Sequence, residues 1–285
     1  MAIPGLAIIG ESINDSVPST NTLYAAGDID GILELAKMQD EKGAAYIDVN
    51  VGPRDPAFMA EMVREVQRVT ARPLSIDTPD PEIAKAGLAA YDPARAGGAK
   101  PLLNSISALR AGMFELMIIQ PFRPILLVSE SASGACHTAE ETYAAAQFLL
   151  RTARASGISN DDCIFDPGIA PLGSDSSGNL ARLIAAMRMI HADPDFSGVH
   201  CSVGLSNFTV MLPPKTKKSG ENVKGPLESA FLTRAMPLGL DMVIGSVKRN
   251  YMLLDDTHPA MQCFDDCMKV TGMESIARVR KFYTS

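Results

Sequence analysis

The amino-acid sequence predicts a closed parallel (β/α)8 barrel, the TIM-barrel fold, formed as a single domain over residues 1–285. Short apolar runs alternate with stretches of helical period along the whole chain, and together they make eight strands, each followed by a helix. The length suits one such barrel, which typically takes about 250 residues. The chain also lacks a G-x-G-x-x-G turn and a G-x-x-x-x-G-K-[ST] loop, the marks of an open dinucleotide-binding sheet and of a P-loop.

Residues 6–10 read as the first strand and 11–14 as the loop leaving it. Asp28 is placed to cap a helix that runs to Lys42 and stops at Gly43. In residues 46–51 apolar side chains alternate with Asp48 and Asn50, the period of a strand, and Gly52-Pro53 ends it. The next helix, 56–70, carries Phe58, Met59, Met62, Val63, Val66 and Val69 on one face. Strand 73–77, helix 81–91, strand 101–104, helix 108–119, strand 124–128 and helix 138–156 follow. After Gly157 come strand 163–166, helix 178–191, strand 199–204, helix 227–238, strand 241–244 and a last helix from Pro259 to the end. Residues 211–225 break this rhythm as a long basic loop beyond the seventh strand, at the face where barrel enzymes carry their sites.

Hydrophobic residues make up 46% of the chain and charged residues 21%, enough apolar material for a large core. The net charge of −7 and the absence of a basic stripe argue against nucleic acid as a partner. No apolar run approaches the roughly 18 to 20 residues a membrane helix needs, and residues 1–10 lack the charged start of a signal peptide. A cytoplasmic location is therefore expected. The five cysteines are expected as free thiols, and Cys263 and Cys267, one helical turn apart, read as a buried helix face and not as metal ligands. No metal site is predicted.

Polar residues recur where the strands end: Asp48 and Asn50, Asp77, Asn104, Asp166 and Asn207, with Glu11 and Asn14 beyond the first strand. An Asp or Asn weakens a strand and needs a partner if buried, so their repetition at one end predicts a shared polar site. The set holds acids and amides only. It offers no histidine cluster, no lysine for a Schiff base and no serine with a base, which disfavours metal hydrolysis and nucleophilic catalysis. Carboxylates accept hydrogen bonds while Asn both donates and accepts, which suits a flat, donor-rich heterocycle such as the guanine-like edge of a pterin. The alternative is that Asp48, Asp77 and Asp166 each cap the turn that follows.

The runs Gly10-Glu-Ser-Ile-Asn14, Ile47-Asp-Val-Asn-Val-Gly-Pro53, Ser75-Ile-Asp-Thr78, Leu103-Asn-Ser105, Phe165-Asp-Pro167 and Gly204-Leu-Ser-Asn207 resemble those of the pterin-binding methyltransferases. That family includes methyltetrahydrofolate:corrinoid/iron-sulfur protein methyltransferase and the folate module of cobalamin-dependent methionine synthase. The resemblance covers nearly the whole chain, in order. It implies a barrel that binds tetrahydrofolate or methyltetrahydrofolate and exchanges the N5 methyl with the cobalt of a corrinoid (cobalamin). It further implies that Asp77, Asn104 and Asp166 hydrogen-bond the pterin, that Asn207 reaches N5, and that the protein is a homodimer.

Asp256-Thr-His258 approaches a cobalamin-binding Asp-x-His-x-x-Gly, but Met261 stands where Gly belongs and only 24 residues follow it. The corrinoid is thus expected on a separate corrinoid protein, and His258 as a surface or helix-start residue. Relatives are expected to place an Arg before the Pro-Leu that opens the seventh helix, where this chain has Lys224 and Gly225. The lysines at 215, 217, 218 and 224 could replace it by attracting an acidic partner or the glutamate tail of folate; the alternative is a solvated loop. Two other functions remain: a dihydropteroate synthase, whose usual Ser-x-Arg has only a displaced match in residues 245–250, and a pterin-binding subunit without catalysis.

Overall fold

The computed structural model describes residues 3–284. Met1, Ala2 and Ser285, which the sequence reading includes in its single domain, lie outside them. The elements run β1 (Ala7–Asn14), α1 (Pro18–Ala26), α2 (Ile29–Glu41), β2 (Tyr46–Asn50), α3 (Pro56–Val69), β3 (Leu74–Asp77), α4 (Pro81–Ala90), β4 (Leu102–Ile106) and β5 (Arg123–Leu127). A small hairpin, β6 (Glu130–Ser131) and β7 (Gly134–Ala135), precedes α5 (Ala139–Ala155), β8 (Ile164–Asp166), α6 (Asn179–Ala192) and β9 (His200–Cys201). The chain continues through α7 (Leu205–Thr209), α8 (Lys224–Ala235), β10 (Met242–Gly245), α9 (Pro259–Cys267) and α10 (Met273–Thr284).

Among the described residues, eight parallel strands form one sheet in the order β10-β1-β2-β3-β4-β5-β8-β9. Single bridges Cys201–Leu240 and Gly204–Ile244 bring its edges together, so the sheet is a nearly closed (β/α)8 barrel. Ile9, Leu102, Ile125, Ile164 and Met242 pack in one cluster, and two larger apolar clusters join strands to helices. The barrel is a packed core, leaving chemistry to its rim.

Local sequence explains the helices. Asp28, Asp55 and Asp80 accept backbone N–H groups at the starts of α2, α3 and α4, and Pro56 and Pro81 occupy first-turn positions that need no N–H. At α5, Thr138 Oγ1 accepts from Glu141 N at 3.1 Å and the Glu141 carboxylate accepts from Thr138 N at 3.2 Å. Thr138→Ala should lower stability by about 1 kcal/mol in chemical denaturation, since it removes the hydroxyl that accepts from Glu141 N and leaves only the backbone half of that box.

Several boundaries differ from expectation. The 11–14 loop is strand: Ile13 and Asn14 pair with Val49 and Asn50, so β1 carries Glu11 and Asn14 itself. Helix α1 falls where none was predicted. Residues 108–118 wind as a 3-10 helix broken at Arg110, which pairs with Glu130 at 3.5 Å. The seventh strand shortens to two residues, and Asn207, expected just after it, lies in the short α7. The 211–225 loop is pinned by a Lys215–Asn222 bridge and a Lys217 N–Tyr283 O bond, and α8 starts three residues earlier than expected, at Lys224. The single terminal helix is two, divided at Gly272 with φ +68°. His258 caps α9, its Nδ1 accepting from Ala260 N, and Cys263 and Cys267 are buried as the spacing implied. Among the described residues no helix is long and apolar enough to cross a membrane.

Candidate pterin site at the barrel mouth

Parallel register brings the strand-end residues level with one another. Asn14 pairs with Asn50, Asp48 with Ser75, Asp77 with Asn104, and Leu127 with Asp166. Because neighbouring strands sit about 4.8 Å apart, a set contributed by different strands becomes a wall without any sequence proximity. Glu11, Asn14, Asp48, Asp77, Asn104, Asp166 and Asn207 all line one cavity of about 630 Å³ at the carboxyl ends of the strands. Asn50 alone of the expected set is not in that lining. It stands behind Asp77, donating Nδ2 to Asp77 Oδ2 at 2.9 Å while its own Oδ1 accepts from Gly52 N at 2.8 Å.

Burial sets the charge of the wall. Asp48 is fully buried, and neither carboxylate oxygen has a well-aligned hydrogen bond. Desolvation first, and the neighbouring Asp77 charge second, raise its pKa well above the usual carboxylate range. Burial also raises Asp77, against hydrogen bonds that favour its ionised form. Two buried carboxyls this close oppose each other's ionisation, and Asp48 holds its proton the more strongly because Asp77 has the Asn50 amide to support its charge. Asp166 is pushed up to about 6 by burial, with the Gly168 N–H at 2.7 Å and the Arg182 guanidinium pulling the other way. The Asx-turn alternative therefore holds in part for Asp166 and does not account for Asp48.

Two clamps fix the segment bearing Asn207. The Ser206 hydroxyl donates to Glu11 Oε1, and the Thr209 hydroxyl to Glu228 Oε1, so α7 is tied to β1 on one side and α8 on the other. Phe208 packs at 5.4 Å from Phe231 and 6.2 Å from Phe264, anchoring the same turn in the core. A methyl group on Gly204 would stand 2.9 Å from the Asn207 amide nitrogen, so glycine there leaves that amide its place. Sequence reasoning missed Ser206, Ser129 and Arg182. Ser129 lies just past β5 and could have been found by the strand-end rule; nothing in the sequence links Ser206 to Glu11 or Arg182 to the 166–168 turn. Arg182 donates to Thr142 Oγ1, Pro167 O and Gly168 O at 2.8 to 3.0 Å and so holds the backbone that follows Asp166.

Barrel and site together define a class: an α/β barrel whose mouth presents buried acids and amides to a hydrogen-bonding heterocycle. Residues 14–245 match the family described as pterin binding enzyme, and the chain belongs to that family. The chain is 27% identical over 248 residues to methylcorrinoid:tetrahydrofolate methyltransferase of Eubacterium limosum, covering 84% of each sequence. Among solved structures it resembles dihydropteroate synthase from Xanthomonas albilineans in complex with 7,8-dihydropteroate, with TM-score 0.57 and 19% identity over 86% of this chain and 88% of that one. It also resembles the Yersinia pestis DHPS with a pterine-sulfa conjugate, with TM-score 0.59 and 18% identity over 93% and 95% of the two chains. At those identities the likeness speaks for the fold.

Proposed function

We propose that this protein moves a methyl group between N5 of tetrahydrofolate and the cobalt of a corrinoid carried on a separate protein. The observation that carries this reading is the meeting of Asp77, Asn104 and Asp166 with Asn207 in one cavity. The two ionisable carboxylates accept from the adjacent N–H groups of the pterin edge, and Asn104 adds an amide. Asp48 backs this wall, with Asn50 orienting Asp77 and Asn14 and Glu11 completing the lining. Asn207 directs its amide to N5, where charge changes during transfer. The corrinoid supplies the cobalt that takes or gives the methyl.

The 27% identical relative supports this reaction class over the runner-up. A dihydropteroate synthase would need a cation free to hold pyrophosphate. The displaced candidate, Arg249, instead pairs with buried Glu228 at 3.3 Å. The family resemblance adds the proposal of a homodimer, which sedimentation velocity checks, and a cytoplasmic location is proposed with it.

The test is anaerobic and spectroscopic. Protein mixed with Co(I) cobalamin and methyltetrahydrofolate, and separately with methylcobalamin and tetrahydrofolate, should change the cobalt spectrum in at least one direction. Tetrahydrofolate binding with no exchange, even when purified corrinoid protein is added, would favour the non-catalytic subunit.

A further inference from the structure

Transfer at N5 has a proton requirement that the pterin wall does not meet. When the methyl leaves for Co(I), the electron pair of the N5–C bond stays on nitrogen and a proton must arrive there. In the opposite direction N5–H must lose its proton as the new N–C bond forms. The Asn207 amide does not titrate, and Asp48, Asp77 and Asp166 are committed to the other edge of the heterocycle.

Glu11 shares the cavity with Asn207 and is tied to the residue before it. Extension of β1 to Asn14 puts Glu11 on the strand, in the cavity lining, and its carboxyl bonds the hydroxyl of Ser206, the residue before Asn207 in α7. Ser206 lines the same cavity. Resting on the methyl-transfer reading, we propose that Glu11 is the proton reservoir for N5, exchanging its proton through the Ser206 hydroxyl. For methyl departure, the Ser206 hydroxyl, which donates to Glu11 in the ligand-free site, turns to N5 and accepts from protonated Glu11. Glu11 then passes its proton to Ser206 Oγ as Ser206 gives its own to N5, leaving a carboxylate that solvent reprotonates, and methyl arrival runs the same chain backwards.

The surroundings suit that task. Burial raises the Glu11 pKa; the Ser206 hydroxyl lowers it, the Glu228 carboxylate on α8 raises it, and the Arg249 guanidinium beyond β10 lowers it. Tyr251 stands on the same side with its own pKa raised by burial, so it remains neutral beside Glu11. An acid held above its ordinary range can keep a proton under conditions where a solvated glutamate has lost it.

Glu11→Gln preserves size and hydrogen bonding to Ser206 and removes the exchangeable proton. Methyl transfer from methyltetrahydrofolate to Co(I) cobalamin should fall by about 10²-fold, with tetrahydrofolate affinity by calorimetry little changed. The wild-type rate in that direction should decline as pH rises through the Glu11 pKa, and the variant should lose this dependence. Ser206→Ala should reproduce the rate loss, and an infrared pH titration should show a protonated-carboxyl band in the ligand-free wild type that Glu11→Gln lacks. Wild-type rate and pH profile in Glu11→Gln would overturn the proposal. Should that variant bind folate poorly, a full rate and unaltered profile in Ser206→Ala would overturn it instead. Silence in the wild type with corrinoid protein present would sink the methyl-transfer reading, whereas the infrared band still reports whether Glu11 holds its proton.

Discussion

Asn207→Ala should slow methyl exchange by about 10²- to 10³-fold while changing tetrahydrofolate affinity far less. A single donor aimed at developing charge in a site shielded from water is worth about 3 to 4 kcal/mol in the transition state. In the proposed pose, ground-state binding depends on the opposite edge of the pterin. The segment bearing the amide is fixed by its flanking clamps, Ser206 on Glu11 and Thr209 on Glu228, and by the seating of Phe208 in the core. Single-turnover rates and calorimetry on the same preparation make the comparison. Equal losses in rate and affinity would mark Asn207 as a binding residue only.

Asp166→Ala should weaken tetrahydrofolate binding by about 1.5 to 3 kcal/mol, the value of hydrogen bonds to a charged acceptor. Calorimetry showing unaltered affinity would remove Asp166 from the pterin contacts. The pH behaviour gives a second check, because the Asp166 pKa stands at about 6. A pterin donor needs the ionised form, so wild-type affinity should be full above that value and fall as pH drops below it. For the ligand-free protein the sign is reversed. A carboxyl whose folded pKa exceeds its unfolded one favours the fold when protonated, so its contribution is present below pH about 4 and lost as pH rises through about 6. Acid therefore stabilises this locus while emptying it, and thermal melts with and without tetrahydrofolate should converge as pH falls.

The strand ends were legible because Asp and Asn interrupt apolar runs at positions where a buried strand has no use for them. Asp48, Asp77, Asn104 and Asp166 all reach the cavity for that reason. Helix α1 was not legible: its stretch is Pro-Ser-Thr-Asn-Thr-Leu-Tyr-Ala-Ala, Val17 provides no side-chain cap, and its order comes from tertiary contacts such as Tyr24 against Phe58 and Arg54. In 108–118 an apolar run passed for an α-helix, yet the backbone breaks at Arg110 to meet Glu130, a partner from another segment. Ser206 was hidden for a related reason. Its importance lies in a contact with a residue 195 positions away, and no local period encodes that.

Asn207 is mounted off the sheet, on a five-residue turn of helix, whereas Asp77, Asn104 and Asp166 stand on ladder-paired strands. On the proposed reading, recognition and reaction are thus separable inheritances. The strands could keep one heterocycle across a lineage while α7 and its loop are rewritten for a different second substrate. A pterin barrel should accordingly be sorted by what it carries after its seventh strand; the acids of its wall report only what it holds.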